Sequence, residues 1–119
     1  MKESILRDKS YRFALRIVRL NRFLNEEKKE FVLSKQILRS GTSIGANVVE
    51  GGRAESKPDF VHKLSLSLKE SFETEYWLNL LKDGEYLSAN QAESLISDCN
   101  ELQKMLISSI KTAKRVHSS

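Results

Sequence analysis

Apolar residues at helical spacing constrain the fold of this chain more than any other feature of its sequence. Between about residues 4 and 24 they recur at steps of three, four and seven: Leu6, Phe13, Ile17, Leu20 and Leu24. This spacing places them on one face of a helix with about 3.6 residues per turn. A second apolar strip beside it consists of Tyr11, Ala14 and Val18. The segment is therefore either a helix buried deeply in its own domain or one that also packs on another subunit.

Three further segments carry the same periodicity. Helices are predicted over about residues 4–24, 28–50, 57–82 and 89–114, with residues 115–119 as a frayed tail. One Pro and five Gly in 119 residues are too few for the many turns of an all-β chain. Short connections favour antiparallel neighbours. We therefore expect one all-α domain, residues 1–119, folded as an antiparallel up-down-up-down four-helix bundle.

Local signals refine the ends and faces of these helices. Ser56 with Asp59 three positions later predicts a capped start for the third helix, and Ser88 with Gln91 does so for the fourth. The apolar pattern also places Phe31 on the buried face of the second helix. In the third helix, the same pattern places Phe72 among the buried residues.

Two glycines, Gly41 and Gly45, lie four residues apart on one face of the second segment. Small residues at this spacing allow another backbone to approach closely, as at helix crossings. Each Gly also costs roughly 1 kcal/mol of helix stability relative to Ala, so a loop at this point is the main alternative. No phosphate-binding glycine pattern is present.

The basic residues are concentrated at the two ends of the chain. The net charge is +4 and the sequence pI is about 9.3. In an up-down-up-down bundle, the start of the first helix and the end of the fourth lie at the same end. We therefore expect six of them to converge there: Arg7, Lys9, Arg12, Lys111, Lys114 and Arg115. Together with Arg16 and Arg19, which continue the helix face of Arg12, they are the candidates for nucleic-acid binding.

The sequence offers no constellation for catalysis or for a metal. A single Cys excludes a disulfide framework and a four-cysteine zinc site. A di-iron bundle site needs two carboxylate-x-x-His pairs, whereas Asp59 with His62 is the only such pair here. Charged residues follow Met1 directly, and no apolar run reaches the ~18 residues of a membrane span. We expect a cytoplasmic protein that is not an enzyme, has no cofactor and does not enter a membrane.

One long motif carries a resemblance to a known family. Residues 34–50 read SKQILRSGTSIGANVVE, and the agreement continues through SKPDF at 56–60 and KESFETEYWL at 69–78. These stretches resemble the four-helix bundle protein family, also called the 23S rRNA intervening-sequence (S23) proteins. The motif positions that we single out for close packing are Arg39, Gly41, Gly45, Asn47 and Glu50. Many relatives have Pro at the position of Gly45, so the resemblance leaves open where the second helix bends or ends.

The resemblance implies an antiparallel bundle that assembles into a ring-shaped oligomer, typically a homopentamer, with no established enzymatic activity. It also implies similarity to the accessory variability protein of diversity-generating retroelements, a basic pentameric ring that engages nucleic acid and a reverse transcriptase. The residues that we expect at the oligomer interface are Tyr11, Ala14, Val18, Tyr76 and Trp77. Aromatic residues are enriched at such interfaces.

The sequence leaves two functions open. The first is a non-catalytic adaptor that binds RNA or DNA backbone through its basic surface, since phosphate contacts are electrostatic and additive. The alternative is a protein–protein interaction scaffold whose basic surface serves solubility only. The arginines at 12, 16 and 19 share one helix face, and that face either binds phosphates or pairs with acidic residues of a neighbouring helix or subunit: Glu70, Glu73 or Glu75.

Overall fold

Four helices make up the computed structural model of the chain, which describes the backbone of residues 2–118 and the side chains of residues 4–115. They are α1 (Lys2–Glu26), α2 (Leu33–Gly51), α3 (Lys57–Asp83) and α4 (Ala89–Ser118). No strand occurs within residues 2–118. The all-α prediction is thus confirmed. The last helix continues to Ser118 and so includes most of the tail for which fraying stays a prediction.

The helices pack side by side into a rod of 51 × 21 × 20 Å. Each contacts its two neighbours in the cyclic order α1–α2–α3–α4, whereas the diagonal pairs α1–α3 and α2–α4 make no close backbone contact between residues 2 and 118. Contacts between α1 and α2 pair Ser10 with Gly45 and Asn21 with Ser34, so these helices are antiparallel. Contacts between α1 and α4 also run in opposite directions.

The start of α2 departs from the prediction. The helix begins at Leu33 rather than near residue 28, and the side chain of Glu30 before it accepts the first free backbone N–H groups of the helix. One carboxylate oxygen of Glu30 accepts the backbone N–H of Ser34 at 2.8 Å and the other accepts that of Leu33 at 3.1 Å. Before the helix, Lys29 adopts a left-handed backbone with φ of 53°. A glycine usually indicates such a turn in a sequence, and there is none at this position. The caps predicted at Ser56 and Ser88 are confirmed.

The core is mostly apolar, and the small hydroxyl side chains buried within it lie mainly on α2 and α3. Its largest fully buried side chains are Leu6, Phe13, Ile17, Leu24, Ile37, Ile44, Leu64, Leu78, Leu81, Leu102 and Leu106. Where α2 meets α3, small polar groups fill the contact: the Ser67 hydroxyl donates to the Ile44 carbonyl at 2.8 Å. The hydroxyls of Thr74 and Ser40 lie 3.0 Å apart. These short side chains let the two backbones approach closely while keeping their polar atoms bonded.

Two aromatic residues predicted as buried lie on the surface instead. Phe72 is 52% exposed, because the buried face of α3 runs through Ser71 and Thr74 beside it. Phe31 is also exposed and precedes α2 rather than lying within it. Consecutive residues of a helix point ~100° apart, so Phe72 turns away from the core when Ser71 faces it. The outer face of α3 consequently carries apolar surface that this chain does not cover.

Candidate nucleic-acid interface

Two of the predicted basic residues on α1 are tied to α4. The Lys9 ammonium lies 3.2 Å from a carboxylate oxygen of Glu101. The Arg16 guanidinium lies 2.7 Å from a carboxylate oxygen of Asp98, and it also donates to the Ser94 hydroxyl at 3.0 Å. These contacts connect α1 to α4. Lys9 and Arg16 thus have partners within the chain, which a bound phosphate would have to displace.

The remaining basic residues of α1 are more accessible. Arg12 pairs with Asp8 of its own helix at 3.1 Å, yet its side chain is 75% exposed. Exposed ion pairs of this kind contribute only about 0–1 kcal/mol, so a phosphate group can compete for the arginine. Arg7 and Arg19 are exposed as well. Within the chain, the acidic residues of α3 do not contact these arginines: Glu70 and Glu73 bind Arg39, and Glu75 accepts from Gln103. Their pairing with a neighbouring subunit stays a prediction.

Charge is divided along α4 into an acidic first half and a basic second half. Glu93, Asp98 and Glu101 lie in the first half, and no acidic residue follows Glu101. An open groove in the second half is lined by Lys104, Ile107, Ser108, Lys111, Thr112 and Arg115. Its three basic residues, Lys104, Lys111 and Arg115, are named the α4 basic strip. This order also suits the helix dipole, which favours anions at the start of a helix and cations at its end.

The structure brings only part of the predicted basic cluster together. The contact of Lys9 with Glu101 fixes the relative height of α1 and α4. At ~1.5 Å of rise per residue, Lys111 lies ~15 Å further along the bundle than Lys9, and Arg12 lies on the other side of Lys9. The basic side chains of the two helices therefore follow the length of the α1–α4 pair and do not gather at its end. Sequence reasoning missed Lys104, although its seven-residue spacing from Lys111 places both on one helix face.

The glycines of the family-like motif lie where α2 crosses α1. A Cβ atom on Gly41 would be 2.8 Å from Cγ1 of Ile17, and one on Gly45 would be 3.3 Å from the carbonyl oxygen of Ser10. The segment is helical throughout, so the loop alternative is wrong. Both glycines therefore permit close backbone approach rather than binding a ligand.

The polar residues of the same motif hold α2 against α3. Arg39 donates to a Glu70 carboxylate at 3.0 Å and forms a second ion pair with Glu73. The hydrogen bonds that Arg39 donates to these carboxylates raise its pKa. The pKa of Glu73 is lowered, mainly because the Trp77 indole N–H donates to it at 3.1 Å and further because Arg39 does. This network connects the two helices, and Trp77 is thereby fixed next to it.

Two other motif residues make shorter-range contacts. The Asn47 amide donates to the Ser43 carbonyl one turn earlier at 2.9 Å. Glu50 accepts from the Lys63 ammonium at 3.1 Å, which links the end of α2 to α3. All five motif positions therefore have a structural explanation within one chain.

The predicted oligomer residues divide into two separate surfaces. On α1, Tyr11 is 64% exposed and Val18 is 38% exposed, while Ala14 is half-buried. On α3, Tyr76 is 58% exposed and packs edge-on against Trp77 with ring centroids 5.1 Å apart. Because α1 and α3 occupy opposite corners of the bundle, these surfaces point in different directions.

The thiol of the single cysteine, Cys99, is not available as a nucleophile in this fold. Cys99 is buried and contacts the Ser71 carbonyl at 3.2 Å. Burial, followed by the nearby charges of Glu75 and Asp98, raises the pKa of its thiol to about 12. No cluster of three or more metal-ligating side chains exists among residues 4–115. Within the helices that the structure describes, none is long and apolar enough to cross a membrane.

The fold and this surface define a small four-helix protein with an acid-free basic end and interhelical contacts made by a glycine motif. The chain belongs to the 23S rRNA-intervening sequence protein family, whose model matches residues 2–108. It is also similar to a crystal structure of a protein of unknown function from the S23 ribosomal protein family of Bacteroides thetaiotaomicron VPI-5482. The identity is 57%, the TM-score is 0.92, and the match covers 93% of this chain and 99% of the other. No curated protein matches the chain.

Proposed function

We propose that this chain is a non-catalytic subunit of a cytoplasmic homo-oligomer that binds the phosphate backbone of RNA or DNA. One observation carries the proposal: the second half of α4 presents Lys104, Lys111 and Arg115 on one face without any acidic residue among them. Phosphate contacts are electrostatic and accumulate with the number of basic residues. An oligomer would repeat the α4 basic strip in every subunit, and the family resemblance favours a pentameric ring.

Backbone binding of this kind carries little sequence specificity. The strip offers two ammonium groups and one guanidinium around the apolar side chain of Ile107. Recognition of single-stranded bases by stacking requires aromatic side chains next to the basic ones, and this groove has none. Binding should therefore be similar for unrelated sequences and strongly dependent on salt.

The test compares two triple variants that remove the same charge. Changing Lys104, Lys111 and Arg115 to Gln should weaken binding of a fluorescent single-stranded RNA. It should also make the fall of log affinity with log salt concentration shallower, by about one unit of slope for each phosphate that the variant no longer binds. The matched control changes Arg12, Arg16 and Arg19 to Gln. Because Arg16 is bonded to Asp98, this control should alter affinity less.

Each result of this comparison either assigns the binding surface or rejects nucleic-acid binding. A larger loss of affinity in the α1 triple variant would move the phosphate site to α1 and contradict the role of the α4 basic strip. Unchanged affinity in both variants, with the oligomer intact by light scattering, would reject nucleic-acid binding by either helix. Circular dichroism of both variants checks that the helices are retained.

A second candidate function, a protein-interaction scaffold, is favoured by the exposed apolar side chains of α3. Phe72, Tyr76 and Leu80 lie on the surface at four-residue steps. By resemblance, a reverse transcriptase is one such protein partner. If the oligomer forms normally but has no salt-dependent affinity for RNA or DNA, the scaffold function is favoured over nucleic-acid binding.

A further inference from the structure

The outer face of α3 carries a strip of large apolar side chains with a charge at each end. Its members follow one another at steps of three and four, and all are exposed: Lys69, Phe72, Tyr76, Leu80 and Asp83. This set is named the α3 ridge. A helix that is apolar on its core side and again on its outer side is typical of a helix buried from both directions.

A second strip with matching spacing lies on the outer face of α1. Its members are also all exposed: Asp8, Tyr11, Leu15, Val18 and Arg22. This set is named the α1 strip. Each set spans ~21 Å from its first charge to its last at ~1.5 Å per residue. Next to the α1 strip, an open groove is lined by small residues, among them Ala14, Gly45 and Ala46, which leave space for a large side chain.

The charges at the ends of the two sets are complementary when the helices are aligned in parallel. The α3 ridge begins with Lys69 and ends with Asp83, whereas the α1 strip begins with Asp8 and ends with Arg22. A parallel alignment therefore places opposite charges together at both ends, and an antiparallel alignment places like charges together. The ion pairs among residues 4–115 do not include Lys69, Arg22 or Asp83. These three charges are thus available to a second molecule.

We propose that the α3 ridge of one copy packs in parallel against the α1 strip of the next copy. One chain cannot join its own two surfaces, since α1 and α3 lie at opposite corners of its bundle. The contact is therefore head to tail, with each copy using the ridge on one side and the strip on the other. Burying the ridge would remove from water the exposed halves of Phe72 and Tyr76, since complete burial of an aromatic side chain covers roughly 150–250 Å². This assignment rests on the proposal that the chain acts as an oligomer.

A mixing experiment tests whether the contact is head to tail. Tyr76→Glu disables the ridge and Val18→Glu disables the strip, and both side chains are exposed, so the helices should be retained. Each variant alone should sediment as a monomer of 13.6 kDa. An equimolar mixture should form a one-to-one dimer, because one variant supplies an intact ridge and the other an intact strip. Circular dichroism of each variant verifies its helix content.

A charge exchange tests the parallel register. Asp8→Lys and Lys69→Glu should each raise the concentration needed for half-assembly by about tenfold or more, since like charges then meet at the interface. The two changes combined in one chain should restore assembly. The matched control combines Asp8→Lys with Lys57→Glu, which has the same net charge but changes an exposed lysine outside the ridge, and should not restore it.

The possible failures are distinguishable. A monomeric unmodified chain would overturn both the oligomer and this contact. The head-to-tail contact alone would be overturned if the oligomer persisted in both Tyr76→Glu and Val18→Glu. It would also be overturned if only one of these two substitutions dissociated the oligomer. Failure of the charge exchange after success of the mixing test would overturn the register. RNA binding by the α4 basic strip is measured separately on the monomeric variants.

Discussion

Gly41→Ala tests the close crossing of α1 and α2 most directly. A Cβ atom at this position would lie 2.8 Å from Cγ1 and 2.9 Å from Cγ2 of Ile17, which is fully buried. Overpacking of a core typically costs about 1–3 kcal/mol, and such short contacts with a side chain that cannot move aside favour the upper half of that range. Alanine regains about 1 kcal/mol of helix propensity. The net loss of unfolding free energy should be about 1–2 kcal/mol.

Urea unfolding followed by circular dichroism measures this loss, and Gly52→Ala provides the matched control. Gly52 has a helical φ of −65°, and an added Cβ would come no closer than 3.4 Å to a neighbouring atom. Its substitution should be neutral or stabilise by about 0.4–1 kcal/mol. In a chain that also carries Ile17→Ala, Gly41→Ala should destabilise much less, because the two closest atoms, Cγ1 and Cγ2, are absent and only the Cβ contact at 3.2 Å remains. Equal stability of Gly41→Ala and Gly52→Ala would refute the close-packing explanation of the motif.

Two further predictions follow from the shifted pKa values. The thiol of Cys99 has its pKa raised to about 12, so at about pH 8 an alkylating reagent should label the folded chain roughly 100-fold or more slowly than the chain unfolded in urea; equal rates would contradict its burial. The pKa of Glu73 is lowered by the Trp77 N–H, so its contribution to stability is present above the unfolded value of 4.5 and is lost as pH falls through the folded value. Between about pH 7 and about pH 3, unmodified protein should therefore lose more stability than Trp77→Phe, and parallel losses in urea midpoint would exclude this role of the indole.

Periodicity and capping residues predicted the number, order and type of the helices. Their ends were predicted well where a side chain caps its own helix within three residues, as Ser56 and Ser88 do. The start of α2 was wrong by several residues, because Glu30 could equally have been part of a helix. Only the turn at Lys29, with its left-handed backbone, makes Glu30 a cap instead. A non-glycine residue in that conformation leaves no signal in the sequence.

The basic surface could be predicted in composition but not in arrangement. Sequence reasoning placed Arg16 on an open face because it does not lie on the apolar stripe. Its contact with Asp98 depends on which helix lies beside α1 and at what height, and that height is set by packing along the whole bundle. The same reasoning offered Glu70 and Glu73 as partners for the α1 arginines, whereas the neighbouring helix supplies Arg39 to them. Pairing across helices thus requires the structure.

The composition of α3 connects the fold to the proposed assembly. Hydroxyl residues such as Ser67 and Thr74 fill its contact with α2, so the large aromatic side chains are not needed to fill the core there. If the outer face of α3 stayed in contact with water, polar residues in place of Phe72 and Tyr76 would serve equally well and would not lower solubility. Their exposure leaves apolar surface that monomeric proteins usually bury or keep small. The proposed interface between copies would account for small polar residues on the core side of α3 and large apolar residues on its outer face.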